Sequence, residues 1–136
     1  MLKKTITFKD YNDVEHTQDF YFNISRAELV EMELGTSGGY AEMIKRVVAS
    51  KDAPTIMNVF KTFILKSYGV KSDDGVRFIK SEELTKAFTE TEAYTELLME
   101  LCTKADAAAK FITAVLPKEI EPEDHKEKSF PAPANS

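Results

Sequence analysis

The sequence predicts a mainly α domain of α+β type, a bundle of about five to six short helices with an N-terminal β-hairpin and a disordered C-terminal tail. Three observations carry that prediction. Apolar and polar residues alternate with a period of two only near the N-terminus, at about residues 3–22. From Ser25 to Leu116 the apolar residues recur at helical spacing, with helix-start and helix-stop residues between the runs. Beyond Leu116 the composition turns to proline and charge, with four of the chain's five prolines in residues 117–136. The expected division is a helical domain over 1–116 and a flexible tail over 117–136.

In the hairpin, Thr5, Thr7 and Lys9 alternate with Ile6 and Phe8, which places one face inward. Tyr11, Asn12 and Asp13 supply a turn, and an extended run follows from Val14 to Phe22. Phe20 and Phe22 share a face opposite Asp19 and Tyr21. A lone two-stranded hairpin is marginal in water, so it must pack on the helices or join a partner's sheet.

The first helix opens with a capping box, Ser25 with Glu28 three residues on. Its expected apolar side is Ala27, Val30 and Leu34, and Gly35 stops it. The second helix follows Gly38-Gly39 and sets Tyr40, Met43, Ile44, Val47 and Val48 on one face. Asp52 is the expected cap of the third, with Pro54 tolerated in its first turn and Gly69 as its stop. That third helix is apolar over most of its circumference: Ile56, Met57, Phe60, Phe63, Ile64 and Tyr68 make a stripe, widened by Val59 and Leu65. Such a helix is either the centre of the core or covered in part by another chain. Met57, Phe60, Phe63 and Leu65 are the candidate partner-binding residues on the second of these readings.

Val70 to Lys80 reads as a polar link with a turn at Asp73-Asp74-Gly75 and a short strand around Val76, Phe78 and Ile79. Ser81 caps a short helix carrying Leu84, Ala87 and Phe88. Thr89 with Glu92 repeats the capping-box pattern before a helix striped by Tyr94, Leu97, Leu98 and Leu101. Thr103 with Asp106 suggests a restart, and Ala108, Phe111, Ile112 and Val115 line the last helix.

Composition narrows the function. A net charge of −5 and the lack of any dense Lys/Arg cluster argue against a phosphate-backbone surface. No apolar run approaches the ~20 residues of a membrane span, and the N-terminus lacks a secretory signal. The one cysteine, Cys102, ends an apolar stripe as a small hydrophobe does. Gly35 to Gly39 before a helix invites a phosphate-loop reading, but Tyr40-Ala41 stand where the Lys-Ser/Thr pair belongs, so an interhelical loop is expected. His16 and His125 have no second ligand at metal spacing, and the carboxylates Asp10, Asp13, Glu15 and Asp19 near His16 read as solvated charges. No catalytic residues, cofactor or metal are expected. A small helical DNA-binding regulator or another protein-interaction module is the alternative, and clustered basic residues on one helix would mark the regulator.

Read as a whole string, the chain resembles the tail assembly chaperones of long-tailed, siphovirus-type bacteriophages of Gram-positive hosts. The blocks that carry the likeness are Asp19 to Ser25, Glu28 to Leu34 with Gly38-Gly39, Ile64 to Gly69, Gly75 to Ser81, Thr91 to Tyr94, and Ala107 to Ile112. The resemblance implies a protein of the host cytoplasm that binds the tape-measure protein, with the tail-tube protein and a second copy of itself as further candidate partners. It would assist tail-tube assembly and be absent from the virion, with no catalysis, nucleic acid or membrane involved. It also implies a longer product made by a −1 frameshift, for which Pro117-Lys118 is the candidate slip; the codons there decide the matter.

Overall fold

The computed structural model describes residues 1–117. The alternating segment forms β1 (Leu2–Lys9) and β2 (Glu15–Phe22), paired antiparallel in a register that sets Ile6 opposite Gln18 and Phe8 opposite His16. Ile6, Phe8 and Phe22 are buried, while Thr5 bonds Asp19 and Thr7 bonds Thr17 on the outer face. The turn is closed by Asp10, whose carboxylate accepts the Asn12 amide at 2.8 Å and the Val14 amide at 3.0 Å. Asp13 takes a positive φ of 62° there, a conformation that Asp tolerates.

Six helices follow the expected order: α1 (Arg26–Leu34), α2 (Tyr40–Ser50), α3 (Ala53–Ser67), α4 (Glu82–Thr89), α5 (Glu92–Thr103) and α6 (Ala105–Val115). The polar link is more than a link. It carries β3 (Tyr68–Lys71) and β4 (Phe78–Ile79), which extend the hairpin into a four-stranded antiparallel sheet of order β1-β2-β3-β4. Gly69 is therefore a buried strand residue and not a helix stop. A Cβ built on it would lie 2.5 Å from the Phe78 ring and 2.8 Å from the Ile79 carbonyl oxygen, so only glycine lets β4 approach.

The helices cover one face of the sheet, with α5 and α6 against β1 and α3 against α5. At the junction is a chain of aromatic rings. Phe22 meets Phe111 at 5.2 Å between centroids and Phe88 at 6.0 Å, Phe88 stacks on Tyr68 at 4.3 Å, and Phe63 joins Phe111 to Tyr40. Edge-to-face and offset contacts of this kind add about 0.5–1.5 kcal/mol per pair to simple burial. The segment leaving β2 is tied to the ends of two helices: the Asn23 amide donates to the Ser67 carbonyl, and the Ile24 amide to that of Val115.

Three helix starts differ from expectation. Asp52 accepts from the Thr55 hydroxyl and leaves the α3 amides alone. The cap position of α5 is Thr91, not Thr89, because the Thr89 hydroxyl turns back to the Lys86 carbonyl at the end of α4. The helical break near residue 104 is real, but the Thr103 hydroxyl donates to the Met99 carbonyl instead of capping α6. For Thr89 and Thr103 the hydroxyl found a carbonyl one turn behind it, which competes with capping, whereas at α3 the Thr55 hydroxyl takes up the Asp52 carboxylate. The tail expected from Pro117 lies, from Lys118 onward, outside the described residues, as does His125.

Candidate functional site

The four residues proposed on α3 divide between core and surface. Phe63 is 0% exposed and Phe60 4%, both inside the cluster; Leu65 is half-buried, and Met57 stands 41% exposed. The broad apolar girth of α3 arises because α2 packs on one side of it and α5 on another. Met57, in the second turn, is the member of this set that meets solvent freely.

A more open apolar surface lies on α1, on the face expected to be buried. Val30 is 55% exposed and Leu34 83%, with Ala27 also exposed, so positions i, i+3 and i+7 form an outward stripe. Leu29 and Met32 face the core in its place. Polar ties decide this rotation. The capping box forms as expected: the Glu28 amide donates to Ser25 Oγ at 3.1 Å, and the Ser25 amide to Glu28 Oε1 at 2.9 Å. The other oxygen of Glu28 then takes the Lys80 ammonium at 2.7 Å, and that ammonium also donates to the Asn23 carbonyl at 2.7 Å. Burial would push the Glu28 carboxyl up, but Lys80 and the Ser25 amide and hydroxyl outweigh it and hold its pKa below the usual value.

The second tie is at the C-terminal end of α1. Glu33 reaches across the glycine loop and accepts the Tyr40 amide at 3.1 Å and the Ala41 amide at 3.3 Å. The free amides of the α2 N-terminus are thus occupied by the protein's own carboxylate, which fills the place a phosphate would take in the rejected loop reading. Gly39, at φ 92°, permits this, since a Cβ there would sit 2.6 Å from Glu33 Oε1. With Glu28 and Glu33 both turned toward the body, Ala27, Val30 and Leu34 must point away. Single exposed apolar residues elsewhere, such as Val48, Val76 and Met99, are ordinary for a protein surface; a stripe on one helix is not.

The other polar groups are used structurally. His16 Nε2 lies 2.7 Å from Asp10 Oδ2, and the imidazole stacks on Phe8. That contact, with the Val14 and Asn12 amides, holds the Asp10 carboxyl below its ordinary range. Cys102 is half-buried, and burial pushes its thiol up, away from the reactive thiolate. Among the described residues no three His, Cys, Asp or Glu side chains are grouped to hold a metal, and no helix is long and apolar enough to cross a membrane.

An open groove of about 700 Å³ lies between the start of β1 and α6, lined by Leu2, Ala107, Phe111 and Ala114. Lys4, Lys104 and Lys110 stand on it with Glu100 and Asp106. Of these only Lys4 and Glu100 are paired, at 3.2 Å, among the described residues.

A family model described as phage tail assembly chaperone matches residues 1–135. No curated protein and no solved structure matches the chain.

Proposed function

We propose, from the premise that this chain belongs to the phage tail assembly chaperone family, that it covers amphipathic helical stretches of the tape-measure protein. On this reading it acts in the cytoplasm of Gram-positive hosts of long-tailed phages, assists tail-tube subunits in assembling around that ruler, and is absent from the finished virion. The outward stripe of Ala27, Val30 and Leu34 on α1 is the observation that supports it. A helix rigidly held by two polar ties, with apolar residues turned to solvent, can lie against the apolar face of a partner helix. Met57, exposed on α3, is proposed as a separate point of contact, with Phe60, Phe63 and Leu65 anchoring α3 in the core.

The magnitude suits a chaperone. Burying a Val or Leu fully is worth about 1.5–3 kcal/mol, and these two are already partly covered, so the pair offers about 2–4 kcal/mol. That favours a reversible contact, repeated by many copies along a long partner and released as the tube closes. The role asks for no catalytic group.

Co-expression of the tape-measure protein with the full chain tests the proposal. The wild-type chain is expected to keep the tape-measure protein soluble, and a Val30→Asp/Leu34→Asp variant to lose that effect while melting at the same temperature. Equal protection by the variant, or none by the wild type, would overturn it.

A further inference from the structure

We propose that the outer edge of β1 takes an extended segment of another polypeptide as a fifth strand, one with acidic residues on its solvent face. The Asp10 amide donates to the Val14 carbonyl in phase with the hairpin register. Bonding alternates along an antiparallel pair, so Leu2, Lys4, Ile6 and Phe8 turn their amides and carbonyls toward β2. Lys3, Thr5, Thr7 and Lys9 turn theirs outward. β1 ends the sheet, and among the described residues nothing bonds to those outward amides and carbonyls. The strand is eight residues long, contains no proline, and pairs with β2 in one unbroken register. Such an edge is a template for another strand.

A hollow of about 350 Å³ opens along this edge. Lys4 and Ile6 line it from the inner face of β1, Thr5 and Thr7 from the outer face, and Glu96 and Leu97 from α5, so it wraps round the rim of the strand. α5 packs on β1, where Ile6 and Leu97 are buried, whereas Gln18, beside Ile6 in β2, is exposed. The helix therefore stands over the rim, and a single strand fits beneath it. A second copy of the chain does not fit. It would bring its own α5 to the same place, and its β1 carries the same three lysines and no carboxylate. Charge describes the partner. Lys3 and Lys9 are exposed on the outer face without an ion-pair partner among the described residues. The carboxylates of that face, Glu15 and Asp19, lie one strand further in, and Asp19 is engaged by the Thr5 hydroxyl. At the rim itself the lysines repel a basic strand and draw an acidic one. Lys4 points inward, a charge that would guard the edge if naked, but Glu100 neutralises it at 3.2 Å. Uncharged residues therefore suit the face of the added strand that lies beneath α5. Main-chain bonds supply the affinity and the lysines the selection.

The α1 stripe lies on another element, so this edge stands or falls apart from it. The probe is a synthetic peptide, Glu-Val-Thr-Thr-Thr-Val-Glu, which sets its glutamates opposite Lys3 and Lys9 in either strand direction. The readout is amide hydrogen exchange of the full-length chain, resolved by residue. Without peptide, the amides of Thr5 and Thr7 should exchange fast and those of Ile6 and Phe8 slowly. Adding the peptide should slow Thr5 and Thr7 saturably. A control peptide with lysines in place of the glutamates should bind about tenfold more weakly, because two attractive cross-strand pairs become repulsive. Lys3→Glu combined with Lys9→Glu should reverse that preference. Thr7→Pro removes one outward amide and spares the bonds to β2, so it should abolish the slowing at Thr5 while Ile6 and Phe8 stay protected. Thr5 and Thr7 amides that are slow in the chain alone would overturn the proposal, since the protein would already cover its own edge. Protection that grows with protein concentration would overturn it too, by giving the edge to a second copy. So would equal binding of the two peptides, or binding of neither.

Discussion

Replacing Phe63 with Ala should lower stability severely, because the ring serves the core and nothing outside it. Phe63 is 0% exposed and touches the rings of Tyr40 and Phe111 at centroid distances of 6.3 and 6.0 Å. Truncation forfeits the transfer energy of the ring and leaves a cavity between α2, α3 and α6 that these rigid neighbours close poorly. Phe→Ala changes at such sites cost about 3–5 kcal/mol, against a total of about 5–15 kcal/mol for a domain. At an m-value of about 1.5 kcal/mol/M, the urea midpoint should fall by about 2–3 M. Thermal unfolding should drop by roughly 10–30 °C, at about 3–6 °C per kcal/mol for this chain length. Equilibrium urea unfolding followed by far-UV circular dichroism reads both the midpoint and the slope. A midpoint within about 0.3 M of wild type, with the slope unchanged, would refute the reasoning and return α3 to the role of an interface helix.

Three further outcomes follow from single contacts. Gly69→Ala should destabilise by about 1–3 kcal/mol, since the added methyl collides with the Phe78 ring and the Ile79 carbonyl; a melting temperature equal to wild type would mean β4 is not held against β3. The folded-state pKa of Glu28 is depressed, so its contribution is present above the unfolded value near 4.5 and is lost as pH falls through the folded one. The gap in melting temperature between wild type and Glu28→Gln should therefore be steady at neutral pH and shrink from about pH 4.5 downward; a gap constant to pH 3 would contradict the Lys80 pairing. Leu34→Asp should change stability by less than about 0.5 kcal/mol, because the side chain meets solvent on nearly every side; a larger loss would show that α1 faces the other way.

Much of the fold could be read along the chain because it is specified locally. The period of two in Leu2–Lys9, the Ser25–Glu28 box and the Tyr40–Ile44 stripe each need only neighbours in sequence, and each was realised. Reading failed where a distant partner decides. Val30 and Leu34 are as apolar as Leu29 and Met32, so hydrophobic spacing cannot choose the inward face of α1. Lys80, 52 residues from Glu28, and the α2 amides that donate to Glu33 make that choice. Gly69 looked like a helix stop because the signal for a stop and for a crowded strand is the same residue. On α3 the spacing of Phe60 and Phe63 is that of core and interface alike, and burial alone separates them from Met57. A sequence signal for the α1 surface did exist: two acidic residues, Glu28 and Glu33, both with helix-terminal amides to satisfy, mark one side of the helix as the anchored one.

The most direct test of a chaperone surface on α1 is methyl spectroscopy of the full chain, with Val, Leu, Ile and Met methyls labelled, during titration with a helical fragment of the tape-measure protein. Saturable perturbation of the Val30 and Leu34 methyls, extending to Met57 and sparing the buried Ile24 and Ile64, is the expected result. Binding that leaves the Val30 and Leu34 methyls unmoved, while shifting others, would contradict it.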